Sequence, residues 1–210
     1  VLMGKPVDRL GKLRCVMPAA LVGCVGLVLM YFARAQWFVL VGGIVMLGGG
    51  MVVSGAAAGV DAASMEGALE TGKAVVGVLG GGVDVVYPAK NRELYRKTRE
   101  NGCLLSEYPP GSRPFGGNFL QRNRIISGIS DGVLVVEAPE RSGALITAET
   151  AMEQGRDVFA VPGPIDSPFS RGCNELIRDG AGLVMEAWDV LGGYQGRFPH
   201  RIHDDKAKLP

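Results

Sequence analysis

Gly116-Gly-Asn-Phe-Leu-Gln-Arg-Asn-Arg-Ile-Ile-Ser-Gly128, followed three residues later by Gly132-Val-Leu-Val-Val-Glu137 and then by Ser142-Gly-Ala-Leu-Ile-Thr147, is the stretch whose reading decides the fold. A helix expected over about Asn118–Ser130 leads into a buried-type strand, Gly132–Val136. The strand ends on the carboxylate of Glu137, and a small-residue turn then opens the next helix. Polar groups therefore gather where a strand stops, which in an open parallel sheet is where loops and helix N-termini converge on a ligand. Arg122 and Arg124 flank Asn123 beside Phe119, and planar guanidinium donors suit a phosphate-bearing partner. The same arginines also read as solvated helix charges, and Ser142-Gly143 as an ordinary helix cap.

The unit repeats in both directions. Upstream, Met51–Ser54 is a strand, Gly55–Gly59 a turn, Val60–Thr71 a helix and Ala74–Leu79 a strand ending in Gly80-Gly81-Gly82. Asn91–Gly102 is a helix stopped by glycine, and Leu104–Ser106 a strand entering the loop Pro109–Gly117. Downstream come a helix at Ala144–Gly155, a strand at Asp157–Val161, the turn Pro162-Gly163-Pro164, a helix near Asn174–Asp179 and a short strand at Leu183–Met185. Strands alternating with helices at this spacing predict βαβ units in a doubly wound α/β fold with a mainly parallel sheet.

Composition narrows the function classes. The 210 residues suit one good-sized domain. Lys plus Arg number 22 against 21 for Asp plus Glu, a net charge of +1, so any attraction to nucleic acid must be local. The 32 glycines fit many tight strand-to-helix turns. Cys15, Cys24, Cys103 and Cys173 form no Cys-x-x-Cys pair, and His200 and His203 stand alone near the C-terminus, so neither a metal site nor a cofactor is expected. A reducing, cytoplasmic setting is the natural expectation.

Residues 1–50 are anomalous. A basic opening with Lys5, Arg9, Lys12 and Arg14 gives way to a stretch from Cys15 to Val60 in which Arg34 is the sole charge. About 20 apolar residues can span a bilayer, so residues 15–50 read either as a membrane segment, which would make the protein membrane-associated, or as a degraded first βα unit. Residues 51–192 form the regular domain. Residues 193–210 read as a polar tail expected to be disordered.

The ordered series Ser54-Gly-Ala-Ala-Ala-Gly-Val-Asp61, Leu79-Gly-Gly-Gly-Val-Asp84 with Tyr87-Pro88 and Asn91, Ser106-Glu107-Tyr-Pro-Pro-Gly111, Phe119 with Arg122-Asn-Arg-Ile-Ile126, Val136-Glu-Ala138, Ser142–Thr147, Gly155–Gly163 and Asn174–Ala181 closely resembles the DNA-processing protein A (DprA/Smf) family. The resemblance covers about Val52 to Leu191. It implies a Rossmann-like domain that binds single-stranded DNA during natural transformation, loads the RecA recombinase and self-associates as a homodimer, without acting as an enzyme. Two departures remove positive charge: no Gly-Ser-Arg turn is found near Val22-Gly23-Cys24, and the arginine common before the second glycine is Ala58.

The candidate DNA-binding residues are Ser54, Gly55, Gly59, Asp61, Gly80, Asp84, Asn118, Phe119, Arg122, Asn123, Arg124, Glu137, Ser142, Gly143, Thr147 and Gly163. Ser54, Gly80, Arg122, Arg124, Glu137, Ser142 and Gly163 are expected around one pocket, with Phe119 as a stacking face and Phe115 and Tyr108 as further aromatic candidates. Asp61, Asp84 and Glu137 are read as orienting arginines or bonding sugar and base groups. Self-association is assigned to Gly172–Ala181 through Leu176 and Ile177. The competing enzyme reading is a nucleotide or phosphoribosyl N-glycosidic hydrolase using Glu137 or Glu149 beside Ser142-Gly143.

Overall fold

The structure, a computed structural model, describes residues 50–202. The chain divides into two compact units, Val1–Gln36 and Trp37–Pro210, and every described residue belongs to the second. The two readings of residues 15–50 therefore fall, but for Gly50, outside the described residues, as do Cys15, Cys24 and His203. Among the described residues, no helix is long and apolar enough to cross a membrane.

Two three-stranded sheets form the frame, and every strand pair is parallel. The first holds β1 (Val52–Ser54), β2 (Val75–Val78) and β3 (Gly102–Leu105); the second holds β4 (Gly132–Val135), β5 (Asp157–Ala160) and β6 (Gly182–Leu183). Helices α1 (Val60–Glu70), α2 (Arg92–Asn101), α4 (Gly143–Glu153) and α5 (Arg171–Arg178) make the crossovers within the sheets. The long α3 (Gly116–Gly128) carries the chain from one sheet to the other, and a short α6 (Ala187–Leu191) follows β6. The Rossmann-like α/β class read from the sequence is the one observed.

β2 shows why these segments are strands. Val75-Val-Gly-Val is buried throughout, as a central parallel strand with helices on its faces must be. Gly77 lets Leu104 and Met65 close over the strand, and α1 presents Ala62, Met65 and Ala68 to it. Met65 is fully buried in this first core, which also takes Leu94 and Tyr95 from α2. In the second sheet Val135, Val158 and Ala160 meet Ala148, Ala151 and Cys173.

A third cluster corrects the expected tail. Tyr194 and Ile202 are buried with Val190 and Leu191, and Phe198 packs against them, covering Val136 and Val161. The Tyr194 hydroxyl donates to Asp157 Oδ2 at 2.7 Å, and Arg197 pairs with Asp131 at 3.0 Å. Apolar residues spaced by about one helical turn in 190–202 thus outweigh the polar composition, and the ordered domain extends past residue 192. Residues 203–210 lie outside the described residues.

Candidate functional site

β1 pairs only with β2, and β4 only with β5, among the described residues. A cleft of about 920 Å³ lies between them, lined by the whole of β1 and of β4. Its floor is apolar, from Val52, Val53, Val133, Leu134 and Phe159. At the C-terminal ends of the strands the lining becomes polar with Ser54, Asp61, Arg122, Asn123, Glu137 and Thr147, and Phe119 and Tyr87 stand there too.

The cleft gathers part of the expected set. Ser54, Gly55, Asp61, Phe119, Arg122, Asn123, Glu137, Gly143 and Thr147 line it, whereas Gly59, Gly80, Asp84, Asn118, Arg124, Ser142 and Gly163 do not. Helical geometry explains how the arginines part company. Residues two apart on a helix point to different sides. Arg122 turns inward with Phe119, Asn123 and Ile126, while Arg124 lies on the other side of α3.

Arg122 is buried, with 5% of its surface exposed. Its guanidinium donates to the carbonyl of Gly55 at 2.7 Å and closely to that of Val78, tying the ends of β1 and β2 to α3. Burial lowers its pKa from the ordinary value and the nearby Asp61 carboxylate opposes that shift, yet an arginine stays charged in a protein. The cation sits behind an aromatic pair. Its Cζ lies 5.7 Å from the Phe119 ring centroid, and the Phe119 ring stacks on Tyr87 at 5.5 Å between centroids and 29° between planes. Tyr87 is half exposed, so the pair reaches solvent at the cleft mouth.

Two of the glycine turns make room for side chains of α3. At Gly55 a side chain would collide with the Arg122 guanidinium, and at Gly80 a Cβ would lie 2.7 Å from the Phe119 ring. Both glycines are approached by α3 itself. Their neighbours' backbone groups are likewise engaged: Asp61 Oδ2 accepts from the N–H of Gly55 at 3.1 Å and of Ala57 at 3.3 Å. Asn91 donates to the carbonyls of Ala56 and Ala57, across the one described non-glycine residue in the left-handed region, Ala56 with φ 51°. Asn174 binds both the N–H and the carbonyl of Gly163, and Asn118 the carbonyl of Gly80. Asp84 accepts from Gly111 N–H at 2.8 Å, which fixes the loop after β3. Ser142 caps α4 by accepting from Ala144 N–H at 3.2 Å, and Thr147 donates to Gly143 carbonyl at 3.0 Å. Asn91, absent from the candidate set, is a positioning residue that no local pattern reveals, because its partners lie 34 and 35 positions away.

Arg124 makes an exposed ion pair, donating from Nη2 to both oxygens of Glu107 at 2.5 and 2.7 Å. Phe115 is exposed, and the Tyr108 hydroxyl donates to Gln121 at 3.2 Å. Leu176 and Ile177 are half-buried on α5, both packed against the second sheet's core.

Parallel α/β sheets with crossover helices, and a cleft at the strand ends, place the chain in the Rossmann-like α/β class. The model of the family described as DNA recombination-mediator protein A matches residues 35–195, and the chain belongs to that family. It is 48% identical over 145 residues to the DNA processing protein DprA of Streptococcus pneumoniae, covering 69% of this chain and 51% of that one. Protein Smf of Synechocystis is 43% identical over 157 residues, covering 75% and 39%. The chain thus spans about half or less of the length of these relatives. A solved structure of DNA processing protein A from Helicobacter pylori, described for its single-stranded DNA binding mode, matches with a TM-score of 0.70 at 27% identity, over 79% of this chain and 75% of that one.

Proposed function

We propose that this chain binds single-stranded DNA at the mouth of the β1–β4 cleft, loads the RecA recombinase onto it during natural transformation, and does so in the cytoplasm as a homodimer rather than as an enzyme. The observation that carries the reading is the Tyr87–Phe119 pair with Arg122 behind it. Single-strand binders combine a cationic lining with aromatic faces on which bases stack, without reading sequence. Support also comes from the Helicobacter pylori relative, whose single-stranded DNA binding mode is the subject of its structure. Self-association is assigned to Gly172–Ala181, where Leu176 and Ile177 keep part of their surface exposed.

The hydrolase alternative has less support. Glu137 and Glu149 are exposed, and the hydroxyls of Ser142 and Thr147 are engaged with backbone groups. The test is fluorescence anisotropy of the protein with a labelled single strand and a matched duplex over a salt series. Tighter binding of the single strand, weakening as salt rises, is the expected result. Absence of salt-dependent binding by folded protein overturns the reading. Faster RecA filament assembly on single-stranded DNA tests the second step, and light scattering the dimer.

A further inference from the structure

The loop after β3 is strapped over the side of α3 that faces away from the cleft. Glu107 holds Arg124, and the next residue, Tyr108, reaches Gln121. Gln121 and Arg124 are three apart and so share a helix face. The strap's base is fixed: Ser106 Oγ donates to Gly81 carbonyl at 2.7 Å, and Asp84 holds Gly111 at 2.8 Å. Glu107 presents an anion with two oxygens to a guanidinium that is half exposed, on the side of α3 opposite the DNA site proposed above.

We propose that Glu107 sets affinity and specificity at that site by occupying Arg124 until a phosphate displaces it. The inference rests on the single-stranded DNA reading and adds a competitor to it. An exposed ion pair is weak, so exchange of carboxylate for phosphate is easy for a strand already held at the Tyr87–Phe119 pair. A small phosphate without that second anchor gains little. Glu107 therefore discriminates against isolated anions and in favour of a polymer.

The experiment compares wild type, Glu107→Gln, Arg124→Gln and the double variant, using a labelled oligothymidylate across a salt series and inorganic tripolyphosphate as competitor. Circular dichroism confirms that each is folded. Glu107→Gln is expected to bind the oligonucleotide about two- to fivefold tighter, the factor that an exposed pair allows. Its salt slope should change little, because once the strand is bound Arg124 meets a phosphate in both proteins. Tripolyphosphate should compete better against Glu107→Gln than against wild type. In the Arg124→Gln background the same change should have little effect, which separates a specific pair from a general loss of negative charge. If wild type binds and Glu107→Gln binds no tighter, or gains equally without Arg124, the Glu107 assignment is overturned while the DNA reading stands. If no folded variant binds, both fall together.

Discussion

Arg122 on α3 donates to the carbonyl of Gly55 at 2.7 Å across 67 positions of sequence, and the same guanidinium meets the carbonyl of Val78. One cation thus holds together the ends of two strands and a helix. Its removal leaves carbonyls buried without a partner, at roughly 1–3 kcal/mol each. Arg122→Met, which keeps much of the volume, should lower the unfolding free energy by roughly 2–5 kcal/mol in urea. A loss below about 0.5 kcal/mol, the range of ordinary surface changes, would show that the contacts do not hold the fold.

Gly80→Ala places a methyl group 2.7 Å from the Phe119 ring, which has to move. Destabilisation of about 1–3 kcal/mol is expected, as for other overpacked sites. Because the ring also stacks on Tyr87, weaker binding of single-stranded DNA should accompany it. Unchanged stability and unchanged binding would mean that Phe119 is not fixed where it lies.

Stacking and charge separate in a salt series. Phe119→Ala should weaken single-strand binding by ~1–3 kcal/mol with little change in slope, since stacking releases no counterions. Ala58 is exposed between β1 and α1, so Ala58→Arg adds a cation without disturbing the core. It should tighten binding and steepen the slope by about 0.7. A Phe119→Ala variant that flattens the slope as strongly as a lost arginine would contradict the stacking role.

Cys173 is buried, and that burial pushes its thiol pKa up to about 11. At pH 8 it is protonated and shielded, so iodoacetamide should leave it intact in native protein and label it after unfolding, as read by peptide mass spectrometry. The unfolded chain releases this proton near the ordinary thiol value of ~8.5, whereas the folded chain keeps it to about 11. Its contribution is therefore fully present below about 8.5 and is lost as pH rises towards 11. Tyr194, whose pKa is raised by burial and by Asp157, acts in the same direction at higher pH. Cys173→Ala should flatten the decline of the urea midpoint between pH 8.5 and 10.5, about the window set by the two values. A decline as steep as in wild type would remove Cys173 from that account.

The strands were legible because β-branched runs such as Val75-Val-Gly-Val are short, apolar and closed by glycine, and the crossover helices follow from the spacing between them. What approaches those glycines was not legible. Gly55 and Gly80 read as places for a ligand, and the approaching groups are Arg122 and Phe119, brought in by a helix distant in sequence. Long-range packing leaves no local trace. The parting of Arg122 from Arg124 was available in principle, since positions two apart do not share a helix face. The apolar spacing of Val190, Tyr194, Phe198 and Ile202 was masked by the polar residues between them.

That parting bears on what kind of polymer can use both sides of α3. A strand that touches Phe119 and also reaches Arg124 must curl around a cylinder about 10–12 Å across. Duplex DNA, with a persistence length of about 150 base pairs, resists such curvature at a cost that grows with the bend, whereas an unpaired strand turns freely. Stiffness, independent of base identity and of total charge, would then sort single strands from duplexes at this helix.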